Sequence, residues 1–157
     1  MSSAASGEER GEAAGKAGSP VDWGRPLHHT PAGSLSGDTA QTGGMQRREA
    51  ISAKACGSQR LWMGETVVAA GARSADHHHG ASETAIYVVS GSPVFVFAFA
   101  DGGAERRVEA GPGDYVYVPP WVLHREENPG EVPAVVVIAR STDEAVAVEL
   151  PGLVPPG

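Results

Sequence analysis

Between Leu61 and Leu150 the sequence is cut into short apolar runs, most of them closed by glycine or proline, and no run keeps a helical period. That punctuation is the strongest constraint on the fold. A chain that turns so often buries its apolar surface by pairing short strands, not by packing long helices. Strands are expected at Leu61 to Ala70, Ala85 to Ser90, Val94 to Ala100, Arg106 to Glu109, Tyr115 to Val118, Ala134 to Ala139 and Val146 to Leu150. The run from Val94 places Phe95, Phe97 and Phe99 on one face and Val94, Val96 and Ala98 on the other, which predicts cover on both sides. Asp101-Gly102-Gly103 reads as a hairpin, and Ala110-Gly111-Pro112-Gly113-Asp114 as a tight turn. The one hint of helix is a turn near Arg47 to Ala53. The expected fold is all-β: an antiparallel sandwich or barrel.

The chain of 157 residues suits one domain with a tail. Residues 1 to 44 are rich in Gly, Ala, Ser and Pro and show no period, so they are expected to form a disordered or loosely attached N-terminal tail. Trp23, Leu27, His28 and His29 are its only notable groups. The domain is expected over residues 45 to 150, with a short C-terminal tail at 151 to 157.

Acidic residues outnumber basic ones, 19 against 12, and no basic run occurs, which argues against a nucleic-acid partner. The polar opening MSSAASGEER reads as neither a secretory signal nor an anchor, and no apolar run approaches the ~20 residues that span a bilayer. Cys56 is the single cysteine, so no internal disulfide can form. Together these predict a cytoplasmic protein with no membrane partner.

The chemistry concentrates in Asp76-His77-His78-His79-Gly80-Ala81-Ser82-Glu83 and in His124. Imidazole and carboxylate are preferred ligands of divalent transition metals. Alternation along a strand points His77 and His79 to the same face and His78 away from it. A turn at Gly80 can bring Glu83 back beside them, and His124 follows a Pro119-Pro120 turn. Three imidazoles and one carboxylate would hold a metal with one or two positions open.

These residues resemble two signature motifs of the cupins, small β-barrels of jelly-roll topology. The first motif runs Gly, five residues, His-x-His, three or four residues, Glu, six residues, Gly. Here Gly71, His77, His79 and Glu83 keep that spacing, and Gly91 follows after seven residues in place of six. The second runs Gly, five residues, Pro-x-Gly, two residues, His, three residues, Asn. Gly113, Pro119, His124 and Asn128 match it, with Trp121 where glycine is usual. The resemblance covers residues 60 to 140 and implies that His77, His79, Glu83 and His124 ligate one metal. It also implies a homodimer paired through sheet edges. The extra residue before Gly91 implies either a bulge after Glu83 or a displaced carboxylate. Trp121 implies either a non-glycine residue at positive φ, costing about 1 kcal/mol, or a different turn with the indole at the pocket rim.

Trp62, Tyr87, Phe97, Tyr117 and Trp121 are the aromatic candidates for a substrate pocket, with plain core as the alternative for each. Arg60 and Arg125 can receive an anionic group or lie on the surface. The ligand set does not choose among Fe, Mn, Ni, Cu and Zn, with Fe or Zn favoured. The expected function is a metal-dependent enzyme acting on a small organic molecule. An Fe(II) dioxygenase comes first and a non-redox cyclase or isomerase second. The alternative is a non-catalytic metal- or metabolite-binding module.

Overall fold

The computed structural model describes residues 24–99 and 101–154. Ten strands form: β1 (Met45–Ile51), β2 (Trp62–Val68), β3 (His77–His78), β4 (Thr84–Ser90), β5 (Val94–Phe97), β6 (Arg106–Glu109), β7 (Tyr115–Val118), β8 (His124–Glu127), β9 (Ala134–Arg140) and β10 (Val148–Glu149). One turn of helix, α1 (Ala53–Cys56), follows β1. Among the described residues no helix is long and apolar enough to cross a membrane.

The strands build two five-stranded sheets, ordered β1-β2-β9-β4-β7 and β10-β3-β8-β5-β6. All recorded pairings are antiparallel. The two sheets face each other as an antiparallel jelly-roll β-barrel, the fold the short punctuated runs imply. Along β2, β4 and β9 buried and less buried residues alternate, so each strand turns one face inward.

The inner faces meet in an apolar cluster of Trp62, Ile86, Val88, Phe95, Ala110, Val118, Val136 and Ile138. A second cluster lies behind β5, where Val94, Val96 and Leu123 pack against Leu153 and Leu150. The strand apolar on both faces is therefore covered on both. Leu150 and Leu153 of the C-terminal segment supply that outer cover. At Gly91, φ is +79° and an added Cβ would lie 2.6 Å from the Cα of Ala134. Only glycine both adopts that conformation cheaply and lets the β4–β5 turn lie against β9.

The structure departs from the expected elements at several points. Residues 45 to 51 are a strand, and helix begins only at Ala53, where the Ser52 hydroxyl accepts a hydrogen bond from the Ala55 N–H. The chain is tied to the domain before Met45: the Thr30 hydroxyl donates to the Ala50 carbonyl, Ser36 bridges to Glu49, and Thr42 is buried. Of the notable tail residues, Leu27 is fully exposed, and Trp23 lies outside the described residues, as does Ala100. His124 to Glu127 form β8, a strand absent from the sequence expectation. The last strand is only Val148–Glu149, and it pairs with β3.

Candidate metal centre

β3 and β8 set the site. His77 pairs directly with His124 across the ladder, and His79 follows β3 before the turn at Gly80. All three rings are buried, with His77 0 % exposed. Their centroids lie 4.5 Å (His77 to His124), 4.8 Å (His79 to His124) and 5.1 Å (His77 to His79) apart. One nitrogen from each of the three falls within 4.8 Å of the others, which is the spacing of ligands around one ion.

The outer partners decide which nitrogen each ring presents. His77 Nδ1 lies 2.9 Å from the Ala75 carbonyl, and His124 Nδ1 lies 2.9 Å from the Val122 carbonyl. A carbonyl only accepts, so both Nδ1 atoms carry the proton and both Nε2 lone pairs are bare. Those two Nε2 atoms are buried and have no hydrogen-bond partner among the described residues. For His79, Arg140 Nη2 stands 3.1 Å from Nε2, and the Thr84 hydroxyl lies 2.8 Å from Nδ1. Guanidinium only donates, so Nε2 accepts and the proton sits on Nδ1 here too. Three inward lone pairs, each ring oriented by an outer hydrogen bond, fit a transition metal. Burial holds the His124 imidazolium form back, to a pKa of about 4, although Glu126 opposes it. Burial, then the charge of Arg140, pushes His79 far below the ordinary histidine range. Both rings stay neutral at pH 7, as ligation requires.

Glu83 stands apart from this group. Its residue is exposed, and its carboxylate accepts a hydrogen bond from the Tyr117 hydroxyl at 2.8 Å. That bond and the accompanying desolvation raise the Tyr117 pKa. The neighbouring Thr84 points inward at 0 % exposure. The motif allows three or four residues after the second histidine. Counting four places Thr84 at the carboxylate position and leaves six residues before Gly91. Strand alternation supports that count, since β4 starts at Thr84 with its even-numbered residues buried. A bulge also follows, where the β4–β9 register shifts between Val88 and Ser90.

Four polar residues that carry no motif complete the interior. Arg47, Glu49, Glu126 and Arg140 are 1 %, 7 %, 3 % and 1 % exposed. Arg140 is paired between Trp62 and Thr84 across the β2-β9-β4 ladders, and its guanidinium lies 5.4 Å from the Trp62 ring centre. One of its amino groups donates to the Val146 carbonyl at 3.1 Å, and its Nε has no partner. Burial, reinforced by the nearby Arg47, pulls its pKa down to about 10. Glu126 Oε2 and Arg47 Nε are likewise buried without partners.

The five aromatic candidates separate. Phe97, Tyr117 and Trp121 line a cavity of about 490 Å³ with Phe95, Phe99 and Leu123. Phe97 is paired with His124, and Val118 in the same wall with Thr84, so the cavity abuts the histidines. Trp62 is fully buried core, its indole N–H donating to Glu49 at 3.3 Å. Tyr87 faces outward and packs on Tyr115 with ring centres 4.9 Å apart. Trp121 keeps the glycine-like backbone at φ 66°, so the turn is the usual one and tryptophan bears its strain. Its indole lies 5.4 Å from the His78 ring, which is only half-buried and accepts the Gly80 N–H through Nδ1. Asn128, at the end of the second motif, is structural: its amide donates to the carbonyls of Val68, Ala69 and Val132. Arg60 is exposed, and Arg125 faces the outside of the second sheet, held by Glu105, Glu127 and Asp76.

A family model described as a cupin domain matches residues 64–140. Comparison with curated proteins gives no significant match. Among solved structures, oxalate decarboxylase from Bacillus subtilis at pH 4.6 aligns with a TM-score of 0.62 and 27% identity over 72% of this chain and 29% of that one. A structure of the same enzyme, studied for its Mn(II) centres, aligns with a TM-score of 0.61 and 26% identity over 73% of this chain and 30% of that one. This chain thus spans less than a third of the length of those enzymes.

Proposed function

For a chain that belongs to the cupins through its domain at residues 64–140, we propose a metal-dependent enzyme acting on a small organic molecule. One observation carries this reading: one nitrogen from each of three buried rings lies within 4.8 Å of the others, and the Nε2 atoms of His77 and His124 are buried without a hydrogen-bond partner among the described residues while their Nδ1 atoms meet backbone carbonyls. Orphaned buried nitrogens are costly, and a metal relieves that cost. A bound divalent ion would polarise an oxygen ligand, lower the pKa of a bound water or orient a chelating substrate, and Fe(II) would add dioxygen binding. The chain's own part is to hold the three rings neutral and fixed and to keep water from the adjoining apolar cavity. Fe(II)-dependent oxygenation is the first form of the proposal, and non-redox isomerisation or cyclisation the second. The name of the solved neighbours, with Mn(II) centres in their description, supports keeping Mn beside Fe and Zn.

The test is metal analysis of protein purified without a tag. Near-stoichiometric first-row metal, lost in His77→Ala and His124→Ala, is the expected result. Metal-free protein that takes up none of Fe(II), Mn(II), Co(II) or Zn(II) overturns the reading. The oxygenase form fails if Fe(II)-loaded protein consumes no oxygen with a broad panel of phenols, thiols, diketones and carboxylates. A second reading, a binding module without turnover, is favoured by the Arg140 contact, which occupies the lone pair of His79. It predicts metal or metabolite binding with no substrate conversion under any metal.

A further inference from the structure

We propose that this site requires an exogenous carboxylate, shared between the bound metal and Arg140, and that metal and carboxylate therefore bind cooperatively. The inference rests on the metal reading above and names its substrate class. Arg140 is 1 % exposed, and its donors meet one backbone carbonyl and one imidazole. The acceptor is His79 Nε2, the nitrogen whose lone pair a metal would take from this ring. A metal taking that lone pair leaves the Arg140 Nη2 donor beside the ion with no acceptor.

The protein does not offer a replacement. Thr84 stands where a carboxylate would reach the ion, and the Glu83 carboxylate is turned out to Tyr117. The buried interior holds two arginines, Arg47 and Arg140, and two carboxylates, Glu49 and Glu126, which balance in number without forming ion pairs. A divalent ion on three neutral rings therefore adds two positive charges to an interior whose four charged side chains already sum to zero. Burying such a charge is expensive. An anion at an open metal position meets both demands, and the planar guanidinium fork suits a carboxylate. The rest of the ligand has a place to lie. The adjoining cavity is walled by Phe97, Phe99, Leu123 and Trp121, so the fitting class is a monocarboxylate with an apolar or aromatic body.

Benzoate and Co(II) are the probes, read by calorimetry and by the visible absorption of Co(II). Saturating benzoate should tighten Co(II) binding by about tenfold in the native protein and, by linkage, Co(II) should tighten benzoate equally. In Arg140→Gln, Co(II) should bind at least as well without benzoate, and the benzoate effect should fall below about twofold. Thr84→Glu supplies an internal carboxylate and covers the case in which the arginine variant does not fold. It should bind Co(II) more tightly and lose its response to benzoate. A benzoate effect that is absent in the native protein, or the same in it and in both variants, overturns the proposal and leaves the metal reading standing. Native protein that binds no Co(II) overturns both.

Discussion

Two arginines, one on each side of the barrel wall, are treated in opposite ways. Arg125, on the outer face of the second sheet, forms a two-pronged pair with Glu105, with bonds of 2.9 and 2.7 Å, and also reaches Glu127 and Asp76. Those carboxylates push its pKa above the ordinary arginine value, Glu105 most of all. Arg140, inside, has no carboxylate partner among its hydrogen bonds, and burial lowers its pKa to about 10. A saturated guanidinium pins strands and loops together. An undersupplied one, donating to His79 beside the two bare lone pairs of His77 and His124, is a place arranged for something not supplied by the chain. The contrast separates structural charge from functional charge without reference to any relative.

The largest effect should come from the site itself. His124→Ala should weaken Co(II) binding by more than about 100-fold, since outer partners of ligands alone are commonly worth 10- to 100-fold. Calorimetry on the metal-free protein measures it. The same change in Arg125 should leave metal affinity within about threefold, because that residue touches no inward group.

Stability should separate the two arginines by sign. Arg125→Met strands three carboxylates against one another and should destabilise the metal-free fold by about 2 kcal/mol. Arg140→Met removes an undersupplied buried charge in favour of an apolar chain of similar length. It should be neutral or stabilising by about 1 kcal/mol. Urea unfolding of both variants decides. Equal losses would erase the distinction between them.

Acidity should split the regions by window. His124 and His79 have lowered pKa values in the fold, so the unfolded chain takes up their protons first. Their neutral form loses ground as pH falls below about 6.5, toward the folded value of about 4 for His124. Glu105 and Glu127 are held low by Arg125, so their contribution is complete above about 4.5 and is lost only below it. Thermal unfolding of the metal-free protein should therefore weaken in two steps, and Arg125→Met should remove only the lower one.

The smallest effect belongs to the rim. Trp121→Gly should stabilise by about 1 kcal/mol through its positive φ, while opening the cavity mouth. Chemical denaturation measures the gain.

Much of the frame was legible because β4, β5, β7 and β9 declare themselves by apolar or alternating residues. β1 and β8 escaped for a common reason. Their inward residues are Arg47 and Glu49 in one, and His124 and Glu126 in the other. A hydrophobic period cannot register a strand whose buried face is polar. The histidines were legible because their spacing is peculiar to a metal motif. Thr84 was hidden by a one-residue ambiguity in that motif, which also offers Glu83, whose carboxylate meets the Tyr117 hydroxyl, at the carboxylate position. Arg140 had no motif to mark it; the only signal was a charged residue ending a buried apolar run. Tyr87 and Trp62 lie away from the cavity, and aromatic character alone does not tell which face of a strand, or which end of a barrel, a ring occupies.

The ladder that sets Phe97 opposite His124 has a consequence for descent with modification. The residue that shapes the cavity and the residue that grips the ion are cross-strand neighbours, so a lineage cannot reshape one without disturbing the other. Phe99 and Trp121, farther along the mouth, line the same cavity without that cross-strand tie to a histidine.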